Sequence, residues 1–181
     1  MELRLFITIN LEQQIKDQVR MVLPSLKCRF KGRFVPSEHW HITTLFLGEV
    51  EEDQIPLIEQ SMKEAVKVIR PFQLWIEGIG AFPSLKKPNI LWAGVGGDLK
   101  PLNQLYHQLI KTIEPLKIDF DAKPVYTPHL TLARKVIPQT CQETGELNLK
   151  TKPWTVNALE LYQSIFIHQG VKYHRILKTN F

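Results

Sequence analysis

The stretch HITTLFLGEV at residues 41–50 begins with a His-x-Thr pattern, and the same pattern returns in YTPHLTLARK at residues 126–135. In an extended strand, residues i and i+2 point to the same face. Each copy therefore presents an imidazole and a hydroxyl on one side and apolar residues on the other. The histidines, His41 and His129, are 88 residues apart (129 minus 41), which is close to half of the 181 residues. This spacing predicts two related halves that each give one strand to a shared cleft.

Two imidazoles and two hydroxyls in one cleft are suited to acid–base chemistry on a phosphate. Histidine titrates near pH ~6.5, so that one neutral and one protonated imidazole coexist near neutrality. The hydroxyls of Thr43 and Thr131 are placed to donate to non-bridging phosphate oxygens and to hold phosphorus in line. From the residues alone, His41 and His129 are the predicted acid–base pair, and which of them gives the proton stays open.

Four further residues are candidates for substrate binding. Arg134 is a candidate for neutralising phosphate charge, although strict alternation along a strand places it on the apolar face of Leu130. It reaches the site only if the strand ends or bulges first. Phe46 and Trp92 are candidates for stacking on a base, and Tyr162 is a candidate for lining the groove.

The composition indicates a soluble globular protein, with 44% hydrophobic and 23% charged residues. A net charge of +5 favours polyanionic partners such as RNA. Cys28 and Cys141 form no CxxC pair, and unpaired cysteines are typical of a reducing cytosol. No apolar run approaches the roughly 20 residues of a membrane span, and the first residues lack the features of a signal peptide. We therefore expect a cytoplasmic monomer with no membrane partner.

Hydrophobic periodicity predicts strands and helices in a similar order in both halves. The first predicted helix ends at Pro24, and GIGAFPSLKKP at residues 78–88 is predicted to be an exposed loop because it is rich in Gly, Pro and Lys. The predicted elements are strands at residues 2–9, 72–78, 89–95 and 116–120, helices at 11–22, 53–69 and 102–113, and a terminal hairpin of 154–167 with 171–178.

This order predicts an α+β protein whose residues 1–181 form one domain of two interlocked, pseudo-repeated lobes. Each lobe is expected to contain an antiparallel-rich sheet with helices outside. The two sheets are expected to face a central groove that holds both His-x-Thr motifs.

Several blocks carry a family resemblance that extends over nearly the whole chain: RLFITIN, HITTLFLGEV, GAFPSLKKPNILWAGV, PHLTLAR, LELYQSIF and GVKYHRI. With these blocks the chain resembles the 2H phosphoesterase superfamily, and within it the bacterial and archaeal RNA 2′,3′-cyclic phosphodiesterases, also called 2′-5′ RNA ligases. One departure is Thr44, where the family usually has an aliphatic residue. That position is expected to face away from the cleft.

The resemblance implies a hydrolase that converts RNA 2′,3′-cyclic phosphate ends to 2′-phosphates without a metal or a cofactor. It implies that His41 is the general acid, that His129 is the general base and that the 3′-oxygen leaves. Thr43 and Thr131 complete the two HXTX motifs. The implied substrate is RNA with a cyclic phosphate end, such as a tRNA fragment, or a small cyclic nucleotide.

Four alternatives stay open at this point: reversible 2′-5′ RNA joining, hydrolysis of a small cyclic nucleotide such as ADP-ribose cyclic phosphate, non-catalytic binding of RNA ends, and metal-dependent phosphodiester hydrolysis. His39 and His41 have the spacing of a metal pair, but only Glu38 lies near them and no Cys or Asp joins them. No metal site is therefore predicted. His174, in the last strand, is predicted to be structural.

Overall fold

Nine strands form one antiparallel sheet within residues 1–142, 147–168 and 170–181, which are the residues that the computed structural model of the chain describes. The order across the sheet is β7-β4-β5-β6-β3-β1-β8-β9, and β2 pairs with β6. The predicted α+β class is confirmed, and the two lobes share this continuous sheet. The strands are β1 (Glu2–Asn10), β2 (Phe30–Phe34), β3 (His41–Glu51), β4 (Phe72–Ser84), β5 (Lys87–Gly97), β6 (His129–Pro138), β7 (Trp154–Val156), β8 (Ala158–Ile167) and β9 (Gly170–Asn180).

The halves of the sheet meet at β3 and β6, the two strands that begin with the motif histidines. They are joined through the antiparallel pair Ile42–Leu130. The strands β1, β8 and β9 lie on one side of this junction, and β5, β4 and β7 lie on the other. The C-terminal hairpin β8–β9 pairs with the N-terminal β1, with Tyr162 opposite Phe6, so that β1 lies between β3 and β8 in the sheet.

The alternating apolar residues of β1 explain its place inside the sheet, since Leu3, Leu5, Ile7 and Ile9 are all buried. Two buried threonines fasten β1 to β3 through hydrogen bonds that satisfy their hydroxyls. The Thr8 hydroxyl donates to the carbonyl of Ile42 at 2.9 Å, and the Thr44 hydroxyl donates to the carbonyl of Ile7 at 2.9 Å. Thr44 therefore belongs to the core between the two strands, and it faces away from the cleft as expected.

The helices of the described residues are α1 (Gln13–Arg20), α2 (Leu23–Arg29), α3 (Ile55–Val66) and α4 (Leu99–Ile113). Pro24 does not end a helix but stands in the first turn of α2, where the missing N–H costs no hydrogen bond. Residues 116–120 form no strand, because a 3-10 turn at Glu114–Leu116 leads into Lys117 with a left-handed φ of 56°. No helix in the described part of the chain has both the length and the apolar character that crossing a bilayer requires.

The segment predicted to be a loop at residues 78–88 instead continues both strands of the β4–β5 hairpin, with Phe82 paired to Ile90. A register shift between Glu77 and Ile79, with Gly78 at a φ of +68°, bends β4 without ending it. Gly80 then leaves room for the indole of Trp92, which a side chain at this position would overlap. The glycines here therefore shape a strand and do not mark its end.

Cys28 and Cys141 form a disulfide with their Cα atoms 5.5 Å apart, so the prediction of two unpaired cysteines was wrong. The cysteines are 113 residues apart in sequence. They meet because β2 pairs with β6, with Phe30 opposite Pro138, and because the Gln139 N–H donates to the carbonyl of Arg29 at 2.9 Å. This strand pairing brings the two cysteines within disulfide range, which their spacing in the sequence does not reveal.

Candidate active site

Both His-x-Thr pairs open into one small cleft at the junction of β3 and β6. The antiparallel register through Ile42 and Leu130 sets each motif histidine across from the threonine of the other motif. The structure thus brings together the four side chains that the two motifs supply. The cleft has a volume of about 50 Å³ and is lined by His41, Thr43, His129 and Thr131 together with Val35, His39, Arg134 and Tyr173.

The imidazole of His41 is held in one tautomer by its own backbone neighbourhood. Its Nδ1 lies 2.7 Å from the carbonyl oxygen of His39, and because a carbonyl only accepts, Nδ1 carries the proton. Trp40 alone separates the 3-10 turn Ser37–His39 from β3, and the turn so places this carbonyl beside the ring. Nε2 lies 3.1 Å from the Thr43 hydroxyl, which donates to it while the imidazole is neutral.

His129 is held in the same way at the start of the other motif strand. Its Nδ1–H donates to the carbonyl of Thr127 at 2.8 Å, again two residues before the histidine. The same tautomer is therefore fixed in both motifs, and Nε2 of His129 is the nitrogen left for a ligand. The ring of Phe82 meets the His129 ring edge-on, with 5.2 Å between the centroids, and limits the positions that the imidazole can take.

Aromatic rings enclose His41. Its ring centroid lies 4.9 Å from that of Phe6 and 5.3 Å from that of Tyr173, whose ring is nearly perpendicular to the imidazole. Burial is the largest influence on His41 and lowers its pKa from 6.5 to about 4. At pH 7 the imidazole is therefore neutral, which agrees with its Nε2 accepting a hydrogen bond from Thr43.

Nearby charges reinforce the effect of burial on His41. Lys16 and Arg134 each lower its pKa further, whereas the hydrogen bond to the His39 carbonyl acts in the opposite direction. Both cations disfavour a positive charge on the His41 imidazole. A ligand with negative charge would offset them, so protonation of His41 and binding of an anion favour each other.

Arg134 reaches the cleft because β6 bulges directly after the second motif. Thr131 pairs with Trp92, but Ala133 pairs with Leu91, so β6 has one extra residue between these pairs. Leu132 and Ala133 are both buried as a result, and Arg134 turns outward to line the cleft. From the sequence, Arg134 was expected to reach the site only if its strand ended or bulged first. The structure contains such a bulge.

Tyr126, three residues before His129, fastens the second motif to the first. Its hydroxyl donates to the carbonyl of Thr43 at 3.0 Å. Its ring stacks on Tyr106 with 4.4 Å between the centroids and an angle of 8°. Burial raises the pKa of Tyr126, so that the phenol stays a donor across the physiological pH range. The segment that leads to His129 is therefore anchored to the strand that carries Thr43.

A second, larger cavity of about 450 Å³ adjoins the cleft and shares with it His39, His41 and Tyr173. Tyr162 lines this larger cavity rather than the cleft itself. Its hydroxyl accepts a hydrogen bond from the side-chain amide of Asn10 at 2.9 Å. Tyr162 is therefore placed to contact a ligand that extends beyond the cleft.

The two candidates for base stacking lie outside both cavities. Phe46 is separated from His41 by Phe6, which stacks on it with 6.4 Å between the centroids, and the guanidinium of Arg4 covers the Phe46 ring at 5.0 Å. Trp92 lies nearer, with its ring centroid 6.3 Å from that of His129, but it packs against Gly80. Phe46 therefore does not line the cleft, because Phe6 occupies the intervening space.

Sequence reasoning missed Phe6, Tyr173 and His174 as residues of this region. Phe6 and Tyr173 enclose His41, and His174, which was predicted to be structural, lines the larger cavity. The blocks RLFITIN and GVKYHRI contain all three residues, so family resemblance was the available signal. Strand alternation alone does not distinguish a ring that covers a motif histidine from an ordinary core residue.

His39 and His41 do not form part of a larger cluster of metal ligands. In residues 1–142, 147–168 and 170–181, no three His, Cys, Asp or Glu side chains come together in a way that could hold a metal ion. The His39 backbone carbonyl instead orients His41, and the ring of His39 packs 4.9 Å from that of Tyr173.

Comparison with known sequences gives a consistent family. A family model described as the 2′-5′ RNA ligase superfamily matches residues 11–165. A protein of Archaeoglobus fulgidus named RNA 2′,3′-cyclic phosphodiesterase is 33% identical over 134 residues, which are 73% of this chain and 72% of that protein. A protein of Thermotoga maritima with the same name is 27% identical over 182 residues, covering 99% of this chain and 96% of that protein.

Solved structures with this fold agree over the whole length of the chain. The structure of E. coli LigT complexed with 3′-AMP matches with a TM-score of 0.81 and 21% identity, covering 99% of this chain and 98% of that one. The apo form of E. coli LigT matches with a TM-score of 0.76 and 22% identity, covering 99% of this chain and 97% of that one. At these identities the likeness establishes the fold.

Proposed function

Because the chain belongs to the 2′-5′ RNA ligase superfamily, we propose that it hydrolyses RNA ends closed as a 2′,3′-cyclic phosphate and leaves a 2′-phosphate. One observation carries the proposal: two imidazoles, each fixed in the same tautomer by a backbone carbonyl, face one cleft from opposite motif strands. The relatives named RNA 2′,3′-cyclic phosphodiesterase support the choice of substrate. The reaction needs no metal, since the imidazoles supply the proton transfers.

In this reaction the imidazoles act on opposite sides of phosphorus. Nε2 of His129 takes a proton from water, whose oxygen forms the new bond to phosphorus. His41 gives a proton to the 3′-oxygen as its bond to phosphorus breaks, so the phosphate remains on the 2′-oxygen. Thr43, Thr131 and Arg134 donate hydrogen bonds to the non-bridging oxygens, where negative charge accumulates. Each proton transfer typically contributes about a hundred- to ten-thousand-fold to the rate.

His41 must gain a proton before it can act as the acid, since it is neutral at pH 7 in the free protein. The cyclic phosphate brings a negative charge next to the imidazole and offsets the cations that disfavour protonation. Protonation places a hydrogen on Nε2 and ends its acceptance from Thr43. The Thr43 hydroxyl is then free to donate to the phosphate. Substrate binding thus protonates the acid and releases a hydrogen-bond donor in the same step.

Because His41 is protonated when the substrate binds, we expect the protein to take up a proton from solution on binding. The His129→Ala variant is to be mixed with an RNA ending in a cyclic phosphate at pH 6, in buffers of different ionisation enthalpy. We expect the calorimetric heats to report uptake of up to about one proton, because the cyclic diester does not titrate near this pH. The matched control carries His41→Asn in addition and should take up none. Equal uptake by both proteins would assign the proton to another group.

The anchoring of Tyr126 gives a second prediction for this reaction. Tyr126→Phe keeps the ring stacked on Tyr106 but removes the hydrogen bond to the Thr43 carbonyl. We expect kcat to fall about fivefold, since one neutral hydrogen bond is worth about 1 kcal/mol. KM should change less, because Tyr126 does not line the cleft. Steady-state kinetics check this, and an unchanged kcat would show that the bond does not position the motif.

Product analysis tests the proposed function itself. A short RNA ending in a 2′,3′-cyclic phosphate is incubated with the protein in the presence of a chelator, and the new end is identified by chromatography against 2′- and 3′-phosphate standards. We expect the 2′-phosphate. An intact end with retained binding would instead indicate a non-catalytic module. Formation of a 2′-5′ linkage with a second RNA that has a 5′-hydroxyl would indicate the ligase reaction.

A further inference from the structure

The larger cavity lies on one side of the cleft only. His41 lines both spaces, whereas His129 lines the cleft alone. The cavity volume of about 450 Å³ lies within the ~300–1,000 Å³ that is typical of small-molecule sites. It is thus large enough for a nucleotide, whereas the cleft of about 50 Å³ is suited to a single phosphate group.

The direction of proton transfer decides what enters this cavity, and this step rests on the proposed function. If His41 gives its proton to the 3′-oxygen, the ribose that carries this oxygen lies on the His41 side of phosphorus. The rest of the terminal nucleotide then extends past His41 and Tyr173 into the larger cavity. Water approaches from the opposite side, where His129 lies.

β9 forms one wall of this cavity, and on this wall the cation of Arg175 is held in place by an ion pair. The Nη1 atom of Arg175 lies 3.5 Å from Oε2 of Glu160, a carboxylate that is buried. The same oxygen accepts hydrogen bonds from the Asn10 amide at 2.6 Å and from the Tyr162 hydroxyl at 3.0 Å. The side chain of Arg175 is still 56% exposed, so the guanidinium is anchored at one end and keeps donors for a ligand.

Lys172 adds a second cation to the same wall. It is exposed and lines the cavity, and within the described residues it takes part in no ion pair. Glu38 is the carboxylate among the residues that line the cavity, and Glu160, behind the wall, is already paired with Arg175. Among the described residues, Lys172 is therefore the cation of this wall that no ion pair neutralises, and Arg175 keeps N–H donors beyond the one directed at Glu160, which together favour an anionic group of the ligand.

We propose that the larger cavity binds the terminal nucleotide of the RNA and that Lys172 and Arg175 hold the phosphate attached to its 5′-oxygen. A terminal phosphate monoester has three non-bridging oxygens and an internucleotide diester has two, so both offer anionic acceptors to a guanidinium and an ammonium. The site thus makes the enzyme prefer an RNA end, or a 5′-phosphorylated nucleotide, to a cyclic nucleoside phosphate that has no group at its 5′-oxygen.

Three substrates test this preference. They are adenosine 2′,3′-cyclic phosphate, the same compound with a 5′-phosphate, and the dinucleotide ApA with a terminal cyclic phosphate. We expect kcat/KM to be about tenfold or more higher for the two compounds that have a 5′-linked phosphate. Lys172→Gln should lower this ratio about two- to fivefold, as expected for an exposed charge contact. The advantage should also shrink as salt is raised.

Matched variants separate the site from a general effect of charge. Lys178→Gln makes the same charge change on β9, at an exposed position that lines a different cavity, and should keep the full ratio. Arg175→Lys keeps the charge near Glu160 but removes the guanidinium fork, and should give an intermediate ratio. If Lys172→Gln and Lys178→Gln reduce the ratio equally, the 5′-linked phosphate is attracted by the overall positive charge and is not bound at a site formed by Lys172.

The outcomes distinguish this inference from the proposed function. Hydrolysis of all three substrates at equal kcat/KM would overturn the inference and leave the proposed function standing. A preference for ApA alone would also overturn it, because the second nucleoside and not the phosphate would then be recognised. If none of the three substrates is hydrolysed, both proposals fail together.

Discussion

Replacing His129 with alanine is expected to lower kcat for RNA 2′,3′-cyclic phosphate hydrolysis by about a hundred- to ten-thousand-fold, because the attacking water loses its proton acceptor. His41→Ala is expected to cause a loss of similar size, because the 3′-oxygen must then leave without a proton. The double variant should be little worse than the poorer single variant, since the two imidazoles act as a unit. Single-turnover kinetics with saturating enzyme measure these losses without interference from product release.

His107→Ala is the matched control for these variants, because it removes an exposed imidazole from α4 and should keep the wild-type rate. Binding of the cyclic RNA end and thermal unfolding are measured in parallel, so that a loss of fold is recognised as such. A His129→Ala or His41→Ala protein that folds and still turns over near the wild-type rate would remove that histidine from the mechanism.

The second large effect is on stability, and it follows from the environment of His41. Its pKa is about 4 in the folded protein and about 6.5 in an unfolded chain. Between these values the unfolded chain binds a proton that the folded protein does not. Acidification from pH 7 to pH 4 therefore favours unfolding and is expected to lower the free energy of unfolding by up to about 3 kcal/mol through His41 alone.

Urea denaturation at pH 7 and pH 4 measures this contribution. The His41→Asn protein lacks the titrating group and should lose less stability on acidification than the wild type, even if it is less stable at pH 7. His107→Asn is the matched control for deleting a histidine elsewhere. If wild type and His41→Asn lose the same stability between the two pH values, the folded protein does not disfavour the charged form of His41.

The sequence was most informative where one strand face was polar and the other apolar. Alternation around the two motifs correctly anticipated that His41 and His129 face one space, and the apolar repeat of β1 predicted its burial. The helices α3 and α4 were also evident from their 3.6-residue periodicity, because each buries one stripe of residues.

Features that depend on pairing between distant segments were not accessible in this way. The bulge that turns Arg134 into the cleft arises from the register between β5 and β6. The disulfide of Cys28 and Cys141 arises from the pairing of β2 with β6. Tyr173 reaches His41 because the C-terminal hairpin pairs with β1. Local periodicity carries no information on such registers, since they are set by contacts between residues far apart in the chain.

The assignment of His41 as the acid and His129 as the base is the central claim, and one substrate tests it most directly. In an RNA end whose cyclic phosphate has sulfur in place of the 3′-oxygen, the leaving thiolate needs no proton. We predict that His41→Ala hydrolyses this substrate at close to the wild-type rate, whereas His129→Ala remains impaired. Rescue of His129→Ala instead of His41→Ala would reverse the two roles and contradict the account.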